Sequence, residues 1–252
     1  MNKSVNWINV TDKQKLECCT LWRNCFGDSE HYMDYYFGEK CKNSKVLLDI
    51  EDNHVVSMVY LNPYVLMWQG KRVKSYYIVG VATEERYRKQ GRMRKLLEQA
   101  FVEMKEEGIP FTYLMPANRK IYEPFGFETI YKQKRIKVNG IEDRFINQVK
   151  AAEFTKTEEH LLMKSFSRLS EEEITKMISY CQKKLSEEFD LYAVRNAEYY
   201  QQLQHEMQAM EGDIVCFETA EGKIVGVIVY GLENDYLEVV ECLIETECTE
   251  KI

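Results

Sequence analysis

The stretch SYYIVGVATEERYRKQGRMRKLL, residues 75–97, limits what this chain can fold into more than any other. Residues 76–83 are rich in aromatic and β-branched side chains, the composition of a buried strand. The basic turn Arg86-Tyr87-Arg88-Lys89-Gln90-Gly91-Arg92 follows. Apolar residues then recur at Met93, Leu96, Leu97, Ala100, Phe101 and Met104, the three-and-four spacing of an amphipathic helix. A strand that enters a helix through Gly91 leaves unpaired backbone N–H groups and the positive end of the helix dipole at that point. Glycine lets a ligand approach the backbone, and Arg88, Lys89, Arg92 and Arg94 add positive charge. The expectation is an anion cradle sized for a phosphate or pyrophosphate. An ordinary strand–turn–helix with a solvated basic face fits the same stretch taken alone.

The rest of the chain narrows the choice. At 252 residues it has room for one large domain or two smaller ones. A net charge of −7 disfavours nonspecific binding to nucleic acid or to an anionic membrane and is compatible with a cationic substrate. No apolar run reaches the length of a membrane span, and the first residues are too polar for a signal peptide. The eight cysteines include no C-x-x-C pair and no metal-ligand spacing, so reduced thiols in a cytoplasmic protein without a metal are expected.

Taken in order, residues 5–10 alternate as a short strand does, and Thr11 is placed to cap a helix over 12–26 ended by Gly27. Residues 31–37, HYMDYYF, predict a short helix whose aromatic side chains pack in the core. Strands are expected over 45–51 and 55–68, each closed by a tight turn, leading into the strand that begins the opening stretch. The helix from Arg92 should stop near Gly108 and Pro110. A short strand over 111–115, a brief helix limited by Pro124, and a strand over 128–138 complete the first half.

Here the chain resembles a family. Arg88-Lys89-Gln90-Gly91-Arg92-Met93 is similar to the R/Q-x-x-G-x-G/A signature of the GNAT N-acetyltransferases, whose loop binds the pyrophosphate of acetyl-CoA. Met93 departs from it, standing where Gly or Ala is usual. That bulk, and residues 80–83 (Gly-Val-Ala-Thr) running into Tyr87-Arg88, resemble the Eis-type branch, whose members acetylate amines. The resemblance covers most of residues 1–140. It implies an α+β (mixed α/β) fold with a central, mostly antiparallel sheet, acetyl-CoA as co-substrate and an amine as acceptor.

It also implies site residues. Val81, Ala82 and Thr83 would hold the pantetheine arm, pairing with it as a strand does. Arg88, Lys89, Gln90, Gly91, Arg92, Met93 and Arg94 would take the pyrophosphate. Asn118 resembles the family's helix-start position near the cofactor. Tyr122, in Ile-Tyr-x-x-Phe-Gly-Phe, matches the tyrosine placed by the thioester sulfur, where a phenol can protonate the departing thiolate. A packing role for Tyr122 is the plain alternative. No general base is visible. Glu84 and Glu85 lie at the strand's exit, and the four histidines have no partner at a recognisable spacing.

From about residue 151 the chain has its own logic. Helices are expected over 170–187 and 196–210, and strands over 213–219, 223–230 and 235–245. Strand, acidic turn and strand recur as in the first half, which points to a tandem arrangement: a catalytic domain over 1–150 and a second, incomplete and non-catalytic GNAT-like domain over 151–252. No glycine-bearing basic turn follows its last strand. The sterol-carrier-like third domain of Eis-type proteins has no room here. One sheet face or edge of the second half is expected to lie open. Docking on the first domain, a homo-oligomer through the second domain, or a truncated longer chain would follow from that. Two functions stay open: an N-acetyltransferase acting on a primary amine of a small molecule, peptide or lysine, and a module that binds CoA or a protein without turnover.

Overall fold

The computed structural model describes residues 3–132, 161–233 and 236–248. The chain is α+β and divides into two compact units. The first comprises residues 1–132 with the short strand at 191–193, and the second the remainder.

The first unit begins with β1 (Val5–Asn6), a strand much shorter than the alternation of residues 5–10 suggests. Trp7 ends it. The chain turns into a 3-10 helix at Trp7–Asn9 so that the indole can be buried. Helix α1 (Asp12–Phe26) starts on a Thr11–Gln14 capping box and stops at Gly27 in the left-handed region. Helix α2 (Glu30–Gly38) is capped by Ser29 and buries Met33, Tyr35 and Tyr36. These aromatic residues are core, as expected. Trp22 lies 4.5 Å from the Tyr36 ring and 5.8 Å from that of Tyr60, and Trp7 lies 5.5 Å from Phe37.

Three strands, β2 (Lys45–Glu51), β3 (His54–Trp68) and β4 (Lys71–Thr83), form an antiparallel meander behind them. Helix α3 (Arg92–Glu106) covers the other face. Its Leu96, Leu97, Ala100 and Met104 close a core with Leu47, Val59, Leu61, Tyr76 and Ile78. The strand expected over 111–115 is reduced to a single parallel bridge between Tyr77 and Tyr113, because only Tyr113 exchanges backbone bonds with β4. Of the strand expected over 128–138, residues 128–132 are irregular and the rest lies outside the described residues, as does the expected domain boundary at 150.

The second unit contains β5 (Leu162–Ser165) and helix α4 (Glu171–Glu188), which opens on a Ser170–Glu173 capping box. The first unit's sheet includes one strand from this part of the chain, β6 (Leu191–Ala193), which pairs antiparallel with the Leu66–Trp68 end of β3. Back in the second unit come helix α5 (Ala197–Ala209) and the strands β7 (Asp213–Glu218), β8 (Ile224–Glu233) and β9 (Tyr236–Ile244). The helices and the three-strand meander fall where the sequence places them. Among the described residues both faces of this sheet carry buried side chains, and β9 is its edge strand. Ile214, Cys216, Val227 and Val229 are buried, and so are Val215, Phe217 and Val225, whose cluster gains Leu161 and Met163 from the unforeseen β5 region.

The two units share one topology. Strand, helix, helix and three meander strands give the sheet order β1-β2-β3-β4 in one and β5-β7-β8-β9 in the other. Each also breaks register at matching places. The first hairpin slips beside its turn, at Asp49/Ile50 and at Phe217/Glu218, and the second pairing slips again at Met58/Tyr60 and at Val229/Tyr230.

Candidate active site

The site is built where β4 leaves the sheet. Up to Ile78 its outer edge is occupied: Ile78 donates its N–H to Tyr113 O (2.9 Å) and Tyr113 donates to Tyr76 O (3.3 Å). Beyond that point, residues 79–83 have no strand partner on this side among the described residues. The edge that opens contains a bulge. Tyr60 is opposite Val79 and Met58 is opposite Ala82, so β4 carries one extra residue there. Gly80 lies in this bulge, with φ +59°. A side chain on Gly80 would also collide with the ring of Trp22, so α1 presses directly on the bulge. Ser57 fastens the strand end, donating to Ala82 O (2.8 Å) and lying 2.8 Å from the Thr83 hydroxyl.

Past Thr83 the chain forms a 3-10 turn at Glu85–Tyr87 and then enters α3 through Gly91, whose φ is +77°. Gly91 occupies the N-cap position and supplies no side-chain cap, and no acidic residue sits in the first turn. The first intrahelical bond is Lys95 N–H to Gly91 O, so the N–H groups of residues 91–94 have no helical acceptor. Nothing lies within 4 Å of where a Gly91 Cβ would be. An uncapped helix start with open space before it and no negative charge of its own suits a phosphate group. The surroundings are basic: Lys89, with φ +61°, and Arg94 are exposed. Gln90 donates to Arg86 O (3.0 Å), which closes the turn, and Arg88 Nε donates to Thr83 O (3.1 Å), which ties the loop to β4.

Arg92 is turned away from the cradle. Its guanidinium pairs with Asp49 (3.1 Å) and with Glu51 on β2, so its side chain is not free to take an anion. The backbone N–H of Arg92 remains in the cradle. Sequence reasoning missed the two acids, although a signal exists. Residues 47, 49 and 51 share one face of β2, Leu47 of that set is core, and a charge at a core-facing register needs a partner.

The residues after Tyr113 return beneath α3. Pro124 keeps this segment from becoming an α-helix; it forms two 3-10 turns, Arg119–Ile121 and Glu123–Phe125. Asn118 caps the first, accepting from Lys120 N–H at 3.0 Å. Tyr122 lies between the turns, half-buried, with its ring 5.9 Å from Phe127. Its hydroxyl has no hydrogen-bonding partner among the described residues. Burial raises its pKa above the ordinary phenol value, so the group holds its proton at neutral pH.

Three residues named from different parts of the sequence pack against one apolar core. Val81 of β4, Met93 in the first turn of α3 and Tyr122 all pack on the margin of the same apolar core. Met93 is half-buried against that core, so its bulk has apolar neighbours there. At the exit of β4, Glu84 is held by Arg86 Nε at 2.7 Å. His54 is paired with Glu17 (2.9 Å), a contact between the first residue of β3 and α1 that spacing alone does not reveal. Among the described residues no group of His, Cys, Asp or Glu side chains is arranged to hold a metal ion, and no helix is long and apolar enough to cross a membrane.

Residues 6–130 match the family model described as an acetyltransferase (GNAT) domain. No curated protein matches the chain. Among solved structures, a conserved protein of unknown function from Enterococcus faecalis V583, described as a probable N-acyltransferase, is 16% identical with a TM-score of 0.71 and covers 96% of this chain. A GCN5-related N-acetyltransferase from Kribbella flavida is 16% identical with a TM-score of 0.65 over 99% of this chain. The N-myristoyltransferase of Saccharomyces cerevisiae, solved with bound myristoyl-CoA, is 13% identical with a TM-score of 0.55 over 93%. The chain spans 59%, 60% and 64% of the lengths of these three proteins. At such identities the likeness is one of fold.

Proposed function

We propose, from the match of residues 6–130 to the acetyltransferase (GNAT) domain model, that the chain is an acetyl-CoA-dependent N-acetyltransferase acting on a primary amine of a small molecule, a peptide or a lysine. The observation that carries this reading is an uncapped helix start at Gly91 that follows directly on an unpaired edge of β4, with Val81, Met93 and Tyr122 packed against one apolar core. The free N–H groups of residues 91–94 would bind the pyrophosphate, with Lys89 and Arg94 adding charge. The open edge of residues 79–83 offers backbone groups to the pantetheine amides, and a backbone N–H there would polarise the thioester carbonyl. Tyr122, protonated and unpartnered, would give its proton to the departing thiolate. Asn118 shapes the turn that brings Tyr122 to the margin.

The second unit repeats the topology of the first, with no glycine-headed, basic helix start among its described residues. After β9 comes a 3-10 turn at Thr246–Cys248, in an acidic segment with no glycine and no basic cluster. We read it as a non-catalytic repeat.

One observation favours a second reading, a module that holds CoA without turnover. The carboxylate at the exit of β4, Glu84, is engaged by Arg86, which leaves it poorly placed to take a proton from an amine. Release of free thiol from acetyl-CoA across a panel of primary amines decides between the two, with myristoyl-CoA run alongside to test acyl length. Thiol release that depends on the amine is the expected result. Tight CoA binding with no release on any amine replaces the transferase with the binding module, and no CoA binding at all removes both.

A further inference from the structure

Arg92 stands at the first residue of α3, where a cation has the wrong sign for the helix dipole. Its surroundings account for it. One guanidinium nitrogen lies 3.1 Å from Asp49 Oδ2 and another is bonded to Glu51, and the side chains of Arg92 and Asp49 are only 16% and 12% exposed. Lys95, one turn on, reaches toward the same Asp49 (3.8 Å). The guanidinium also lies over the Tyr87 ring at 4.7 Å, while Arg86 lies over that ring at 4.8 Å. The loop between β4 and α3 is therefore pinned from three sides: to β2 through Arg92, to its own 3-10 turn through Tyr87, and to the end of β4 through Arg88.

A helix that keeps its first N–H groups free for a ligand has to do without the N-cap that would otherwise hold its first turn together. We propose that Arg92 replaces that cap: it is a positioning residue that clamps the start of α3 to Asp49 and Glu51, so that the N–H groups of residues 91–94 are held in place for the anion while their acceptor side stays open. The clamp acts through the Arg92 side chain on β2, so the restraint does not use the backbone N–H groups of the helix start. Arginine suits the task because its planar fork serves two carboxylates and the Tyr87 face together. The inference rests on the acyl-CoA reading for its consequence, though not for its geometry.

The alternative role, direct contact between Arg92 and the anion, predicts the opposite sign for one variant. If the guanidinium were an anion ligand, Glu51→Gln would release it and tighten CoA binding. If it is a clamp, Glu51→Gln loosens the helix start and weakens CoA binding. The experiment measures CoA affinity by calorimetry and amide hydrogen exchange over residues 91–95 for the wild type, Arg92→Leu, Arg92→Lys, Glu51→Gln and Arg92→Leu/Glu51→Gln. Arg92→Leu is expected to weaken binding by roughly tenfold, within the range that coupled neighbours show. KM for acetyl-CoA should rise in proportion and kcat at saturation stay within about twofold. Arg92→Lys should recover part of the loss, Glu51→Gln should weaken binding, and the double variant should be little worse than Arg92→Leu. Exchange over residues 91–95 should quicken in every weakened variant. Tighter binding by Glu51→Gln, or unchanged affinity and exchange in a folded Arg92→Leu, overturns the clamp. Should the wild type itself not bind CoA, the acyl-CoA reading falls, while the exchange measurement still decides whether Arg92 restrains the helix start.

Discussion

Gly80→Ala tests the claim that the bulge in β4 is locked by the core beneath it. Two costs add. The residue has φ +59°, a conformation that costs a non-glycine residue about 1–2 kcal/mol. The new Cβ would lie 2.8 Å from Tyr60 Cδ2 and 3.0 Å from Trp22 Cε3, with Trp22 Cζ3 closer still. Neither ring can step aside. Trp22 is 3% exposed and its Nε1 is bonded to Asp28 at 2.7 Å, while Tyr60 is fully buried. Overpacking of this kind costs about 1–3 kcal/mol, so the total is roughly 2–5 kcal/mol. For a chain of this size that corresponds to a fall in Tm of about 4–20 °C. Gly27→Ala is the control. It has φ +73° and nothing within 4 Å of the new Cβ, so it carries the conformational cost alone. Differential scanning calorimetry on the three proteins isolates the steric part. If Gly80→Ala melts with Gly27→Ala, the bulge is not held against Trp22, and the argument that α1 sets the geometry of the open edge fails. Where the variant does fold, acetyl-CoA affinity should fall as well, because residues 81–83 are displaced with the bulge.

Other outcomes follow from the same geometry. Gly91→Asp should cost about 1–2 kcal/mol of stability for its φ of +77° and weaken CoA by roughly a hundredfold or more through a carboxylate set against the pyrophosphate; calorimetry on the folded variant showing unchanged affinity would take the loop out of the site. Tyr122→Phe should lower turnover roughly 10²-fold with little change in CoA affinity or Tm, because the lost hydroxyl has no protein partner among the described residues; wild-type turnover would leave Tyr122 a packing residue. In the second unit, Lys164 first, then the Ser170 N–H and hydroxyl, hold the Glu173 carboxyl down to about 2 from an ordinary 4.5. A depressed carboxylate stabilises the fold above its ordinary pKa, so this contribution should fade as pH falls from about 4.5 toward about 2. Glu173→Gln should flatten the acid limb of the stability curve in that window; an unaltered limb would show that the Lys164 pair adds nothing.

The elements whose causes are local were legible in the chain itself. Thr11, Ser170 and Asn196 cap helices whose first turns they begin, and each does so through bonds that span only three residues. The apolar spacing from Met93 to Met104 predicts a helix with one buried face, and Gly91 at its head predicts a start without a side-chain cap. Both meanders were readable because period-2 runs broken by short polar turns permit few other arrangements. Where the outcome depended on a distant partner, the same reasoning fell short. Residues 5–10 alternate like a strand, but the pull of Trp7 into the aromatic core stops pairing after Asn6. Residues 111–115 have strand composition, yet only Tyr113 bridges to β4.

The site divides along the same line. Gly91 and Tyr122 were singled out by two short motifs. That Val81, Met93 and Tyr122 pack against one core, that Trp22 lies against Gly80, and that Arg92 pairs with the acids of β2 were decided by packing across the sheet. A sequence states directly what one residue asks of its near neighbours, such as a cap, a turn or a buried face. Which of two available charges an arginine chooses depends on which lies within reach and out of water, and only the closing of the sheet under α3 determines that.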